Sequence, residues 1–302
     1  MQNPKPSLLV LLGPTGVGKT ELSINLAEYF NTPIISADSR QLYQEMKIGA
    51  ATPSEQQLSR VKHYFIATQK VLDNYNAGLY EVDVLTLLDK LFLEHKIALM
   101  VGGSMMYIDA VCNGFDDLPS VPEEIRKHWN NFYKQNGLEA IQQKLFEEDP
   151  DYYAKVDIYN PQRLLHALEI CTVAGCPFSS LLKGEKKERP FNVIKIGLNR
   201  PRVELYDRIN RRVDEMVKDG LLEEAKELYP FRQYNALNTV GYKELFDYFD
   251  GKISLEMAIN LIKQNSRRYA KRQLTWFNKD STINWFQPHQ EKEIIEFINH
   301  TI

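Results

Sequence analysis

The sequence predicts an α/β fold: a parallel sheet built around a phosphate-cradling P-loop and flanked by helices, with a helical insertion domain and a helical C-terminal part. Three observations predict it. Apolar runs at residues 8–12, 33–37, 97–101 and 193–198 alternate with stretches of helical periodicity, the pattern of a doubly wound parallel sheet. Gly13-Pro-Thr-Gly-Val-Gly-Lys-Thr20 follows the first run and opens an amphipathic stretch over 21–30, the strand–turn–helix setting of G-x-x-x-x-G-K-[ST]. After Gly114 the alternation stops, and helix alone intervenes before the last apolar run.

Taken in order, the first run is apolar without a break, as a strand buried on both faces must be. The loop Gly13, Pro14, Thr15, Gly16, Val17, Gly18 then turns backbone N–H groups and the positive end of a helix towards one point, where a phosphate or diphosphate fits. Lys19 adds a mobile cation, and the Thr20 hydroxyl can ligate magnesium. The bland alternative is a glycine-rich surface turn. The second strand ends at Asp38, whose carboxylate faces the loop across the carboxyl edge of the sheet. It can take a proton, hold magnesium through water, or simply cap a helix from Ser39 onward. Val82, Leu85, Leu88 and Leu91 mark a helix over 81–94. The strand after it runs into Gly102-Gly-Ser104 without the magnesium-binding aspartate of a nucleotide hydrolase, which counts against ATP hydrolysis. Those two glycines allow close approach of a ligand or form a tight turn. Residues 116–122 and 183–190 are linkers around a helical insertion, which divides the chain into a core of 1–115 with 191–302 and an insertion of 116–190.

Composition excludes several classes. Of 302 residues 43% are hydrophobic, ample for a core. No run approaches the 18 or so apolar residues of a membrane span, and the start of the chain leaves no room for a signal peptide. Cys112, Cys171 and Cys176 lack metal or redox spacing and are expected to be reduced thiols of a cytoplasmic protein. The histidines show no ligand spacing. Net charge is −3, yet charge is segregated: residues 258–279 carry Lys263, Arg267, Arg268, Lys271, Arg272 and Lys279 with no acid before Asp280. Tyr269, Trp276 and Phe277 are interleaved, a pattern suited to phosphates and unstacked bases of single-stranded RNA. A solvated helix with Leu274 and Trp276 packed inward explains the same residues about equally well.

Together these segments resemble the tRNA dimethylallyltransferases, the isopentenyl-diphosphate:tRNA transferase family, of bacterial type. The resemblance covers nearly the whole chain and rests on Gly13 to Thr20, Asp38-Ser-Arg-Gln-Leu-Tyr43 with Lys47-Ile-Gly-Ala-Ala-Thr-Pro53, and Gly102-Gly-Ser-Met-Met-Tyr107. It continues through Asn160-Pro-Gln-Arg-Leu-Leu-His-Ala-Leu-Glu169, the pattern of Arg202, Tyr206-Asp-Arg-Ile209 and Arg212, then Val240-Gly-Tyr242 and Ala270-Lys-Arg-Gln-Leu-Thr-Trp276. It implies transfer of a dimethylallyl group from dimethylallyl diphosphate to the exocyclic amine of the adenosine 3′ to the anticodon. By resemblance, residues 13–20 hold the diphosphate with Mg2+ at Thr20, and Thr15, Lys19, Asp38 as general base, and Arg208 carry the chemistry. Also by resemblance, tRNA meets Asp38, Ser39, Arg40, Gln41, Ser104, Arg126, Gln162, Arg163, Leu164, Leu165, His166, Gly241, Tyr242, Lys271, Arg272 and Trp276. A monomer is implied too. The chain departs from the family in carrying Ser104 for the usual threonine, Phe277-Asn-Lys279 where an arginine is common, and no C-terminal zinc extension.

The chemistry suits these residues. The departing diphosphate needs its charge neutralised, the amine must lose a proton, and a base inside an anticodon loop must be flipped out to be reached. Two rivals share part of the pattern: a small-molecule kinase, and an adenylate isopentenyltransferase acting on a free nucleotide. The basic helix and the motifs at 162–163 and 240–242 favour tRNA.

Overall fold

The computed structural model describes residues 5–302; the expected leaderless start at residues 1–4 lies outside them. In chain order the elements are β1 (Ser7–Leu12), α1 (Lys19–Tyr29), β2 (Ile34–Ala37), α2 (Glu55–Arg60), β3 (His63–Tyr64), α3 (Ala77–Glu94), β4 (Ile97–Gly102) and α4 (Met105–Asn113). The stretch that follows holds α5 (Glu123–Glu148), α6 (Pro150–Tyr153), α7 (Pro161–Ala174) and α8 (Phe178–Leu181). Then come β5 (Asn192–Leu198), α9 (Arg202–Lys218), α10 (Leu221–Leu228), α11 (Tyr242–Phe249), α12 (Leu255–Phe277), β6 (Ile283–Phe286) and α13 (Glu291–Thr301).

Every strand pairing is parallel, in the order β3-β2-β4-β1-β5-β6. The alternation of the pleat sends Leu8, Val10 and Leu12 into one apolar cluster with Tyr80, Val84 and Leu245, and Leu9 and Leu11 into another with Ile24, Ile209 and Ile294. Helices therefore cover both faces, which is why the strands read as unbroken apolar runs. β1 sits centrally, its last residue Leu12 paired with Gly102 of β4 and Gly197 of β5. The loops after these three strands consequently emerge side by side at the carboxyl edge, where ligands of such sheets bind. Two strands escape sequence reading, β3 because it is two residues long and β6 because Ile283-Asn-Trp-Phe286 is neither alternating nor uniformly apolar.

The chain separates into two compact units, one of Glu188–Ile302 with the chain up to Asn113, the other Gly114–Lys187. In the second, α5 and α7 close on Trp129, Ile141, Leu145, Leu164, Leu165 and Phe178. α5 is kinked at Gly137, whose φ of 80° an L side chain resists. The fully buried Asp149 caps α6 through Tyr152 N–H and accepts two hydrogen bonds from Ser179, at 2.6 and 2.7 Å, tying α8 in place. Among the described residues no helix is long and apolar enough to cross a membrane.

Candidate active site

The loop between β1 and α1 owes its shape to glycines. Gly13 packs so tightly under β5 that a Cβ there would lie 2.7 Å from the Leu198 carbonyl oxygen. Gly18 stands at the N-cap of α1 with φ of 106° and offers no side-chain cap. The first N–H groups of an 11-residue helix are thus left open to an anion. The Lys19 ammonium is folded back, donating to the carbonyls of Gly13 at 2.9 Å and Pro14 at 3.0 Å. Burial of the ammonium lowers its pKa to about 8, against the upward pull of Asp38 and with a smaller push from Arg212.

Three arginines, one from the loop between β5 and α9 and two from α9, close the other side. Arg200 Nε donates to Val17 O at 2.7 Å, Arg208 Nε to Gly16 O at 2.9 Å, and Arg212 Nη1 to Thr15 Oγ1 at 3.3 Å. Each spends one donor on the loop and has others left, because a guanidinium carries five. Burial lowers the Arg212 pKa, opposed by the nearby Asp38 and Glu215. These arginines, Lys19 and Thr20 line a cavity of about 770 Å³, ample for a diphosphate with a short chain.

Asp38 stands at the end of β2 and borders this cavity. Its Oδ1 accepts the N–H of Arg40 at 2.9 Å and of Gln41 at 3.4 Å. The residues after it form turns rather than the helix that the capping alternative required, so Asp38 holds an Asx-type turn. Ser104 Oγ braces the same turn, accepting from Ser39 N at 2.8 Å and donating to Ser39 Oγ at 3.1 Å. Gln41 reaches the carbonyls of Ala50 and Ala51 at 3.4 and 3.1 Å, so it organises the neighbouring loop. Tyr269 of α12 lines the same cavity as Asp38; burial and then the Asp38 charge push its phenol up to about 12, so it stays protonated at neutral pH.

A second cavity of about 430 Å³ shares Thr15, Asp38, Arg212 and Tyr269 with the first. Its remaining wall combines Ser39, Arg40 and Gly49 with apolar Ile209, Val213 and Val240, and Gly241 and Arg272 lie on it too. The two spaces therefore meet at the carboxylate. Loop 47–49 on this wall is fixed by Glu224, which accepts the N–H groups of Lys47, Ile48 and Gly49 at 2.8–2.9 Å and the Tyr242 hydroxyl at 2.7 Å.

Not every residue expected at an RNA surface is placed to reach one. Tyr242 is 0% exposed and its hydroxyl is used by Glu224; a Cβ on Gly49 would collide with it at 2.5 Å. Leu164 and Leu165 belong to the apolar core of the insertion. Core packing has claimed all three side chains, so any contact these positions make with RNA would run through their backbone. Gln162, Arg163 and His166 are exposed on the same helix, and the charge of half-buried Arg126 is felt at His166. On α12, Lys263 pairs with Asp214 at 2.6 Å and Arg267 with Asn210 at 2.5 Å, both on α9. Arg268, Lys271 and Arg272 remain exposed. Trp276 is 39% exposed, its indole N–H bound to Asp109 at 2.8 Å, so its ring stands on the surface instead of packing inward.

For a metal, no group of three or more His, Cys, Asp or Glu exists among the described residues. The oxygen donors at hand are the exposed Thr20 hydroxyl and the Asp38 carboxylate, which border one small cavity. Magnesium takes one or two protein oxygens and completes its shell with phosphate and water, so this hard-oxygen set fits it.

The sequence assigned no part in the diphosphate cavity to Arg200, Arg212, Tyr269 or Gln273, all of which line it. Arg212 and Gln273 sit inside motifs quoted for the resemblance, without a role. Gln273 gave the clearest signal, a polar residue on the stripe of α12 that also carries buried Ala270 and Phe277.

Comparison with known proteins identifies the family. A family model described as IPP transferase matches residues 41–280. The tRNA dimethylallyltransferase 1 of Bacteroides fragilis is 54% identical over 98% of both chains, and that of Phocaeicola vulgatus 55% identical over 97% of this chain and 98% of its own. Among solved structures, the tRNA isopentenylpyrophosphate transferase of Bacillus halodurans superposes with a TM-score of 0.73 at 36% identity, covering 98% of this chain and 96% of that one. A eukaryotic dimethylallyltransferase acting on tRNA gives 0.79 at 25% identity, over 94% of this chain and 74% of its own. A match of this length and identity leaves one assignment: the chain belongs to the IPP transferase family, the tRNA dimethylallyltransferases.

Proposed function

We propose that the protein transfers a dimethylallyl group from dimethylallyl diphosphate to the exocyclic amine of the adenosine next to the anticodon, on its 3′ side, in tRNA. The observation that carries this reading is the meeting of the two cavities at Asp38. One is walled by the glycine-rich loop and cations, the other by mixed polar and apolar groups. The diphosphate lies against the loop N–H groups and the open end of α1, with Lys19 leaving the Gly13 and Pro14 carbonyls to meet it. The flipped adenine enters through the second cavity. The amine nitrogen forms a bond to the allylic carbon as the bond from that carbon to the diphosphate oxygen breaks. The bonding electrons leave with the diphosphate and the amine proton passes to Asp38.

Charge accumulates on the leaving oxygen, so preorganised donors there should dominate the rate. Lys19, Arg200, Arg208 and Arg212 supply them, and Thr15 is held between Arg212 and its own backbone contacts. Magnesium held by Thr20, with Asp38 at its edge, would neutralise further charge on the diphosphate. The backbone around Asp38 keeps one carboxylate oxygen occupied through Arg40 and Gln41, which aims the other. Exposed Arg268, Lys271, Arg272 and Trp276 on α12, with Gln162, Arg163 and His166 on α7 and Arg126 on α5, are the proposed RNA contacts. The protein is proposed to act as a monomer where tRNA is found, in the cytoplasm.

Incubating the protein with labelled dimethylallyl diphosphate and either tRNA, AMP or ATP tests this in one experiment. Label in tRNA alone supports the reading. Label in AMP or ATP would replace it with a cytokinin-forming transferase, and phosphate transfer from ATP with a kinase.

A further inference from the structure

Gln273 occupies a place that neither the catalytic chemistry nor an RNA surface accounts for. It is 2% exposed, on the inward face of α12, where its neighbours on the stripe are Ala270 and Phe277. Its Oε1 accepts the Thr15 N–H at 2.9 Å and its Nε2 donates to the Gly103 carbonyl at 2.7 Å. The two partners demand opposite ends of the amide, so its orientation is set by chemistry. A Cβ on Gly103 would sit 2.4 Å from Nε2, so a glycine there is what lets the amide reach. Among the described residues this is the one hydrogen bond between α12 and residues 13–18. Beside this buried stripe, the same helix exposes Arg268, Arg272 and Trp276 one turn apart.

We infer that Gln273 is a positioning residue that couples the two substrate sites, transmitting the placement of α12 on RNA to the diphosphate loop at Thr15. The inference rests on the proposed function, because it takes the outer face of α12 as the RNA face and residues 13–20 as the diphosphate site. A side chain bonded to the loop backbone and carried by the RNA-binding helix makes the energies of the two sites interdependent. Such coupling is reciprocal: tRNA tightens the diphosphate by the factor by which diphosphate tightens tRNA. A second route exists through α9, since Arg267 binds Asn210 and α9 carries Arg208 and Arg212 to the same loop. The direct amide bridge is the shorter, and it acts on the backbone that the phosphate meets.

The test measures binding of inorganic pyrophosphate with magnesium, with and without a saturating anticodon stem-loop, on the full chain. Pyrophosphate lacks the dimethylallyl group, which keeps direct contact between the two ligands out of the measurement. The wild type should bind it at least about fivefold more tightly with the stem-loop present, the low end of ordinary allosteric coupling. In Gln273→Met the factor should fall to near one while each ligand still binds alone. Gln273→Glu keeps an acceptor for Thr15 N–H but opposes an oxygen to the Gly103 carbonyl, and should fall between. Arg267→Met should leave the factor unchanged. Hydrogen exchange of the wild-type peptide containing Thr15 gives a second measurement that needs no variant: the stem-loop alone should slow it.

A coupling factor that survives Gln273→Met, a factor lost in Arg267→Met instead, or Thr15 exchange indifferent to the stem-loop each overturns the inference. Failure of the functional reading looks different, because the wild type would then neither bind the stem-loop nor prenylate tRNA.

Discussion

Two arginine-rich helices of similar appearance in the sequence end in different employment. On α9, Arg208 and Arg212 turn inward and bond to the glycine-rich loop, and burial lowers the Arg212 pKa. On α12 the basic residues divide: Lys263 and Arg267 are taken up by Asp214 and Asn210 of α9, while Arg268, Lys271 and Arg272 face solvent. The difference teaches that a run of positive charge has no single meaning. An arginine beside a concave anion site is held by oxygens of the loop, a carbonyl for Arg208 and a hydroxyl for Arg212, and is preorganised for one ligand. An exposed one contributes a mobile charge that any phosphate can use.

Between the helices stands Asp38, and removing it should cost most. Asp38→Ala should lower single-turnover transfer by about 10²–10⁴-fold, the scale of general-base catalysis, with tRNA binding little changed; near-normal turnover would leave Asp38 as a turn-forming residue only. Arg212→Gln tests the inward helix. It should reduce kcat by about 10²–10³-fold, as loss of a donor to developing charge does, without altering the salt dependence of tRNA binding. A changed salt dependence would place Arg212 on the RNA side of the comparison.

Lys19 gives the inward site a pH signature. With its pKa lowered to about 8, the ammonium in the empty site loses its proton as pH rises through that value. Pyrophosphate affinity should therefore fall about tenfold per pH unit above it, until the bound complex itself titrates. Stability should move the other way. The unfolded chain keeps the lysine proton up to its ordinary value of 10.5, so between about 8 and 10.5 the unfolded state binds more protons and folding stability gains with pH. Titration of pyrophosphate binding and of the denaturation midpoint across this window checks both signs.

The outward helix should show itself in salt. Arg268→Gln with Arg272→Gln should flatten the slope of log tRNA affinity against log salt by about one to two units, near 0.7–0.9 for each lost contact. Pyrophosphate binding should be unchanged. A slope that survives means this face is merely solvated and moves the RNA contacts to Arg126 and Arg163. The smallest effect is expected for Lys263→Met, since its charge is already spent on Asp214. It should leave the salt slope alone and cost about 0.2–1 kcal/mol of stability, as exposed pairs do, measurable in urea.

Sequence alone determined the four main strands, the helical character of the stretch after Gly114 and the loop at 13–20. Each rests on local chemistry: unbroken apolar runs for strands buried on both faces, and glycines where positive φ or close approach to β5 is required. It also brought Asp38, Lys19, Thr20 and Arg208 forward as residues of one chemistry. Only the tertiary structure decided which members of each motif face a ligand. Leu164, Leu165 and Tyr242 stand in motifs beside exposed neighbours, yet core packing takes their side chains. Glu224 offered no local sign of holding loop 47–49, because its partners lie 175–177 residues away along the chain. Gln273 bridges 258 residues to Thr15 and 170 to Gly103. Hydrogen bonds of that span leave no periodicity or spacing in a sequence, since the geometry that creates them exists only once sheet and helices have packed.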